Sequence, residues 1–218
     1  MIVDERIGAY LALLNADGPP FCEAVRKDAE AEGVPIVRRE AESLLKTLIC
    51  IKKPRRILEI GTAVGYSALL MSECMPPGCE ITTIESYHKR VICARDNIKK
   101  AGKEDVIKLL EGDALEILEK LEGEFDFIFM DAAKGQYAEF FRLCEPLCPQ
   151  GGIVVCDNVL QEGTLVHSRY LINQRDRTIH SRMREFLQGI THREDFTTTI
   201  LPVGDGMAVS VKMSPSCK

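Results

Sequence analysis

No CxxC pair, no G-x-G-x-x-G fingerprint and no apolar run of bilayer length occurs in the 218 residues. Without the first, a redox dithiol or zinc-ribbon reading has no footing. The nine cysteines (22, 50, 74, 79, 93, 144, 148, 156 and 217) stand instead in apolar runs such as GGIVVCDN or on helical faces such as RVICARDN. Cys144 and Cys148 lack the second pair or nearby histidine that zinc requires, so buried reduced thiols are expected. Without a long apolar run there is no membrane-spanning helix to expect. The opening MIVDERIGAY carries acids where a secretory leader needs a basic region and an apolar core; a cytoplasmic location is the expectation. Internal repeats and low-complexity tracts are also missing. A surplus of positive charge is missing too: the formal charge is −5, which argues against a generally nucleic-acid-coating surface while leaving room for a local basic patch.

What is present is an ordinary globule, 45% apolar and 28% charged, long enough to bury a real core in one domain. From residue 56 onward strands and helices alternate. RILEI (56–60), EITTIE (80–85), DVIKLLEGD (105–113), FDFIFMD (125–131) and PQGGIVVCDNV (149–159) read as strands. Between them lie helical segments: SALLMSECM, broken by PPG; SYHKRVICARDNIKKAG, closed by Gly102; ALEILEKLEG, ended by Gly123; and QYAEFFRLCEPL, stopped near Pro146. Nearly continuous apolar strands joined by helices imply a parallel sheet covered on both faces. The tail departs from this: after the helix RDRTIHSRMREFLQGI, the segment DFTTTILPVGDGMAVSVKM holds two alternating strands about Gly204-Asp205-Gly206, an antiparallel hairpin at the sheet edge. Residues 1–50 carry three helices separated by DGPP and EGVP. They read as a helical cap over the sheet's binding edge, within the same domain as a 51–218 core.

In an open α/β sheet, ligands bind beyond the carboxyl ends of the strands. Those ends here are Glu59-Ile60-Gly61, Glu85, Gly112-Asp113, Asp131 and Asp157-Asn158. The loop EIGTAVGYS, with Gly61 and Gly65 four apart, lets a ligand approach the backbone, but alone it is equally a tight turn. Glu85, at the second strand's tip, is placed to accept from ribose hydroxyls, as any adenosine ligand would require. Asp113-Ala114 can address an adenine edge, and Asp113 can at once cap the following helix. A nicotinamide-dependent oxidoreductase would want the missing fingerprint. Glu59 ahead of the glycine loop is instead a poor neighbour for a pyrophosphate and a good one for the ammonium and sulfonium of S-adenosylmethionine.

At the fourth and fifth tips, Asp131, Asp157 and Asn158 offer two carboxylates and an amide oxygen, a donor set suited to Mg²⁺. Taken singly, Asp131 is a helix cap, Asp157-Asn158 a turn and Lys134 a solvated loop lysine. Taken together, Lys134 becomes a candidate base for a hydroxyl whose acidity a cation has raised.

The residues EIGTAVGYSALLM, TIE, GDAL, FIFMDAAKGQY and VVCDNVL resemble, in order and spacing, the Mg²⁺-dependent O-methyltransferases, which include caffeoyl-CoA and catechol O-methyltransferases. The resemblance runs from about Val34 to the C-terminus. It implies a Rossmann-like class I methyltransferase fold, mostly parallel and seven-stranded, with the hairpin and cap described above. It places Val37, Glu59, Gly61, Ser67, Glu85, Asp113, Ala114 and Asp131 against S-adenosylmethionine, Asp131, Asp157 and Asn158 on the metal, and Lys134 as base. It also suggests a homodimer formed by the N-terminal helices and the hairpin. Within the family, DAAKGQY, GVPI and PVGDGMAVS look most like bacterial tRNA 5-hydroxyuridine methyltransferases, making the wobble uridine in the tRNA anticodon loop the leading acceptor and a small catechol or phenol the alternative. Arg169, Arg175, Arg177, Arg182 and Arg184 would supply the phosphate grip, against which Glu162 counts as a repelling charge.

Overall fold

A computed structural model describes residues 3–14 and 18–214; Asp17 of the DGPP break and Cys217 lie outside the described residues. The strands are β1 (Arg56–Ile60), β2 (Glu80–Glu85), β3 (Ile107–Glu111), β4 (Phe127–Met130), β5 (Ile153–Cys156), β6 (Phe196–Leu201) and β7 (Met207–Lys212). The helices are α1 (Glu5–Leu14), α2 (Pro20–Ala31), α3 (Arg39–Lys52), α4 (Tyr66–Cys74), α5 (His88–Lys100), α6 (Ala114–Leu118), α7 (Tyr137–Cys144) and α8 (Arg177–Thr191). One seven-stranded sheet runs in the order β3-β2-β1-β4-β5-β7-β6. Its first five strands are parallel, and β7 pairs antiparallel with both β5 and β6.

The two-residue period of the strands divides the core into two layers. Ile57, Phe127, Phe129, Val155 and Val209 point into one layer, where they meet Val25, Ala29, Leu45 and Ile49 of α2 and α3 and Leu69 of α4. Leu58, Ile60, Ile128, Met130, Val154 and Cys156 point into the other, against Phe140 and Phe141 of α7 and Met183 and Phe186 of α8. The N-terminal helices therefore cover one sheet face as well as bordering the binding edge, and α3 continues to Lys52, through the position expected to end the cap. Arg26 ties them down: it pairs with buried Glu42, its Nη2 donates to the Val37 carbonyl at 3.0 Å, and its guanidinium reaches the Tyr66 hydroxyl. A buried charge is tolerated here because each partner is itself bonded, the Tyr66 hydroxyl donating to Glu42 at 2.9 Å.

One helix is shorter than its sequence suggests. α6 ends at Leu118 rather than at Gly123. Beyond Leu118 the backbone tightens into bonds from Lys120 to Ile117 and from Leu121 to Leu118, because the exposed Glu119-Lys120 pair gives the helix no apolar face to bury. Among the eight cysteines described, Cys22, Cys79, Cys144, Cys148 and Cys156 are buried as expected, whereas Cys74 and Cys93 are half-buried and Cys50 is exposed. Among the described residues no helix is long and apolar enough to cross a membrane.

Candidate active site

A cavity of about 750 Å³ opens at the carboxyl ends of the parallel strands, where the connection order reverses between β1 and β4. Val37, Gly61, Ser67, Glu85, Asp113, Ala114, Asp131, Lys134 and Asn158 all line it. Glu59 and Asp157 do not; they are 0% and 1% exposed and stand one layer behind the wall.

The floor is the turn after β1. Gly61 has φ +101, and a Cβ built there would lie 2.1 Å from the Asp131 carbonyl, so the first and fourth strand tips touch only because this residue has no side chain. Glu85 clamps the same turn: Oε2 accepts from the Ala63 amide at 2.9 Å, and Oε1 from the Tyr87 amide at 2.8 Å. Asp113 caps α6, accepting from the Leu115 amide at 2.8 Å. Both acids keep free lone pairs towards the cavity, a carboxylate having about four acceptor sites. Beneath the floor, Glu59 accepts from the Thr83 hydroxyl at 2.5 Å, while Oε1 has no hydrogen-bond partner. Burial, with added repulsion from Asp131 and Glu85, pushes its pKa up to about 7 although the Thr83 hydroxyl offsets part of the rise. A buried, half-bonded acid beside the cavity is suited to a positively charged ligand.

At the other end, Asp131 follows β4 and Asp157 follows β5. Burial raises Asp131 well above the ordinary carboxylate range, with Lys134 partly opposing. Burial and then the Asp131 charge raise Asp157 further. Asp131 does not cap the helix that follows; a 3₁₀ turn over Lys134–Gln136 intervenes before α7. Asn158 takes φ 56 and donates its amide to Asp157 Oδ1 at 2.7 Å, and the Tyr137 hydroxyl fixes the same turn through the Asp157 carbonyl at 2.8 Å. Among the described residues no three His, Cys, Asp or Glu side chains converge as an all-protein metal cage. Two carboxylates short of counter-charge plus one amide fit instead a hard cation that keeps positions for water and a ligand.

Two residues on the wall escaped the sequence reading. Asp205, taken for a turn residue, is 3% exposed and faces Lys134, with Oδ2 at 3.6 Å from Nζ. Arg38 spans the mouth to Glu162 at 3.2 Å; the acid expected to repel phosphate is thus paired. Of the five arginines expected to grip phosphate, three hold loop carbonyls: Arg177 that of Ile172, Arg182 that of Gly135, and Arg184 those of Leu165 and His167. Arg175 pairs with Asp176. None of the five lines the cavity. The reason is local: the 161–172 segment and the turn at Gly135 leave carbonyls that helical bonding does not satisfy, and α8 supplies the donors.

Comparison with known proteins matches residues 20–213 to the O-methyltransferase family. A catechol O-methyltransferase from Niastella koreensis is 31% identical over 169 residues, covering 74% of this chain and 76% of that one. Caffeoyl-CoA O-methyltransferase 1 from Eucalyptus globulus is 29% identical over 181 residues, covering 78% and 72%. The structure of the O-methyltransferase TomG from Streptomyces achromogenes, involved in tomaymycin synthesis and solved with S-adenosylmethionine, superposes with a TM-score of 0.84 at 27% identity, covering 98% of this chain and all of that one.

Proposed function

We propose that this chain, which belongs to the O-methyltransferase family and is an S-adenosylmethionine-dependent O-methyltransferase, methylates one hydroxyl of a small catechol-type phenol with the help of a divalent cation. The observation that carries the reading is the pair of neighbouring acids at one end of the cavity, half-buried Asp131 on its wall and buried Asp157 behind it, both raised in pKa, with Glu85, Asp113 and Ala114 lining the other end. The catechol and caffeoyl-CoA relatives support the acceptor class.

At the donor end, Glu85 would accept from the ribose hydroxyls, Asp113 and Ala114 would meet the adenine edge, and the backbone at Gly61 would border the amino-acid part. Ser67 and Val37 close the sides, and Glu59 supplies the negative field for the donor's positive charge. Asp131, Asp157 and Asn158 would hold the cation, which when bound acidifies a neighbouring phenolic hydroxyl. Lys134 Nζ, as the neutral amine, takes the proton from that hydroxyl and becomes the ammonium, leaving the phenolate. The phenolic oxygen then forms its bond to the donor methyl as the methyl–sulfur bond breaks, and the sulfonium becomes the neutral thioether of S-adenosylhomocysteine. Alignment of the two reactants, together with the loss of opposite charges in the step, supplies the acceleration.

A second acceptor shares this chemistry: the 5-hydroxyl and O4 of a tRNA wobble 5-hydroxyuridine present two adjacent oxygens as a catechol does. Exposed Arg169 and Arg175 favour it; the occupation of Arg177, Arg182 and Arg184 by loop carbonyls favours the small phenol. Methyl transfer by the purified protein to 3,4-dihydroxybenzoate and to hydroxylated tRNA, each followed by mass spectrometry with Mg²⁺ and with EDTA, separates the two. Activity on tRNA with none on catechols would overturn the small-phenol reading, and undiminished activity in EDTA would overturn the cation. A homodimer belongs to the same proposal. α1 leaves Ile7, Tyr10, Leu13 and Leu14 more than half exposed beside an apolar groove that includes Pro202 and Val203 near the hairpin turn, and analytical ultracentrifugation reads it directly.

A further inference from the structure

We propose that Asp205, at the turn between β6 and β7, is a positioning residue for methyl transfer: one carboxylate oxygen directs the Lys134 side-chain nitrogen, and the other anchors the loop that carries Asn158. The inference rests on the reading of Lys134 as the proton acceptor.

Aspartate in a hairpin turn is ordinarily chosen for its backbone preferences and left in water. Here its side chain is 5% exposed and lies on the cavity wall. Oδ2 lies 3.6 Å from Lys134 Nζ, and Oδ1 accepts the Glu162 amide. The backbone continues the join: the Leu160 amide donates to the Asp205 carbonyl and the Val159 amide to that of Gly206, each at 3.0 Å. A Cβ at Gly206 would stand 2.4 Å from the Leu160 side chain, so turn and loop interlock at van der Waals distance. The loop needs such an outside hold. Asn158, Gln161 and Glu162 have φ 56, 49 and 54, left-handed conformations that side-chain-bearing residues keep only when their surroundings fix them.

Lys134, for its part, has four rotors and a side chain 36% exposed at the cavity mouth. A side-chain amine so placed sweeps a wide arc unless a fixed negative charge orients its N–H groups, and a charge excluded from solvent does so with little screening. Asp205 is that charge, and through Glu162 it fixes Lys134 to the same frame that orients Asn158. The base and a residue that would hold the cation, on loops after different strands, thereby keep a constant spacing.

Asp205→Asn retains an oxygen for the Glu162 amide but removes the charge facing Lys134. The expected result is a fall in kcat of about 10–100-fold, the range that a small misplacement of reacting groups produces, with donor Kd by calorimetry and acceptor KM changed less than about twofold. In the Lys134→Ala background, followed in long single-turnover incubations, Asp205→Asn should have no further effect. An equal loss of rate in both backgrounds, or an unchanged kcat, overturns the proposal. If Asp205→Asn does not fold, hydrogen exchange of residues 158–163 in Lys134→Ala decides: several-fold faster exchange at Glu162 supports the coupling, and unchanged exchange overturns it. Full activity in Lys134→Ala would remove the proton-acceptor reading and this inference with it. Loss of activity in Lys134→Ala with an unaffected Asp205→Asn would remove this inference alone.

Discussion

Glu85 and Asp113, at one end of the cavity, spend oxygens on backbone amides, whereas at the other Asp157 takes one amide, that of Asn158, and still repels Asp131, with Lys134 as a partial offset. The first pair is bonded before any ligand arrives, which preorganises it to accept from neutral hydroxyl and amino groups. The second pair, buried Asp157 and half-buried Asp131, lacks sufficient counter-charge, so its placement becomes favourable only when a cation or protons complete it. Glu59 lies between the two in character, with one oxygen satisfied and one not. One cavity thus contains a site finished by the fold and a site that its ligands finish.

The strongest way to break this contrast is to break the contact between the ends. Gly61→Ala forces a methyl group into the Asp131 carbonyl and should weaken donor binding by roughly 100-fold or more while lowering stability by ~2–4 kcal/mol, read by calorimetry and thermal melting. Asp157→Ala should separate the ends: turnover falls by roughly 10²–10³, the worth of several kcal/mol of charge stabilisation, with donor Kd nearly unchanged. Loss of donor affinity equal to the loss of rate would count against the division.

The pH dependence sharpens the same point. Glu59, Asp131 and Asp157 all have raised folded-state pKa values, Glu59 up to about 7. Between the ordinary carboxylate range near 4 and that upper value, the folded state binds more protons than the unfolded chain. Stability of the cation-free, donor-free protein should therefore fall as pH rises from about 4 to 7. Added Mg²⁺ should restore melting temperature more at pH 8 than at pH 5; equal gains at both would show that the acids do not titrate as described. At the finished end, Glu85→Ala should weaken the donor by about 10–100-fold, the worth of hydrogen bonds to a charged group, without altering the Mg²⁺ dependence of turnover. The smallest effect belongs to the rim: Glu162→Gln breaks a largely exposed ion pair with Arg38 and should cost under about 1 kcal/mol in stability.

Much of the frame could be read from pattern alone. β1 and β2 fall where the apolar runs stand, and the hairpin turn forms at Gly204-Asp205-Gly206, because a two-residue period and turn-forming residues are local properties. Asp113 caps α6, another local role. α6 itself was overestimated, since its last residues have helical propensity but no surface to pack against. At the site, the strand-tip acids could be nominated from sequence because a parallel sheet gathers its carboxyl ends, but which acids would be bonded could not. The arginines after Ser168 read as a phosphate grip because their spacing carries no record of the carbonyls they satisfy.

The order and apolar character of the strands, the glycine that permits close approach and the acids at the strand tips are determined by the sequence itself, since each follows from one residue and its near neighbours. Burial, partner and charge state were decided by the tertiary structure. It placed Glu59 behind the wall, left Asp131 and Asp157 short of counter-charge, and brought Asp205 from the far end of the chain to Lys134. The physical reason is that solvation and Coulomb energy depend on distances between residues far apart in sequence, and only the closed sheet sets those distances.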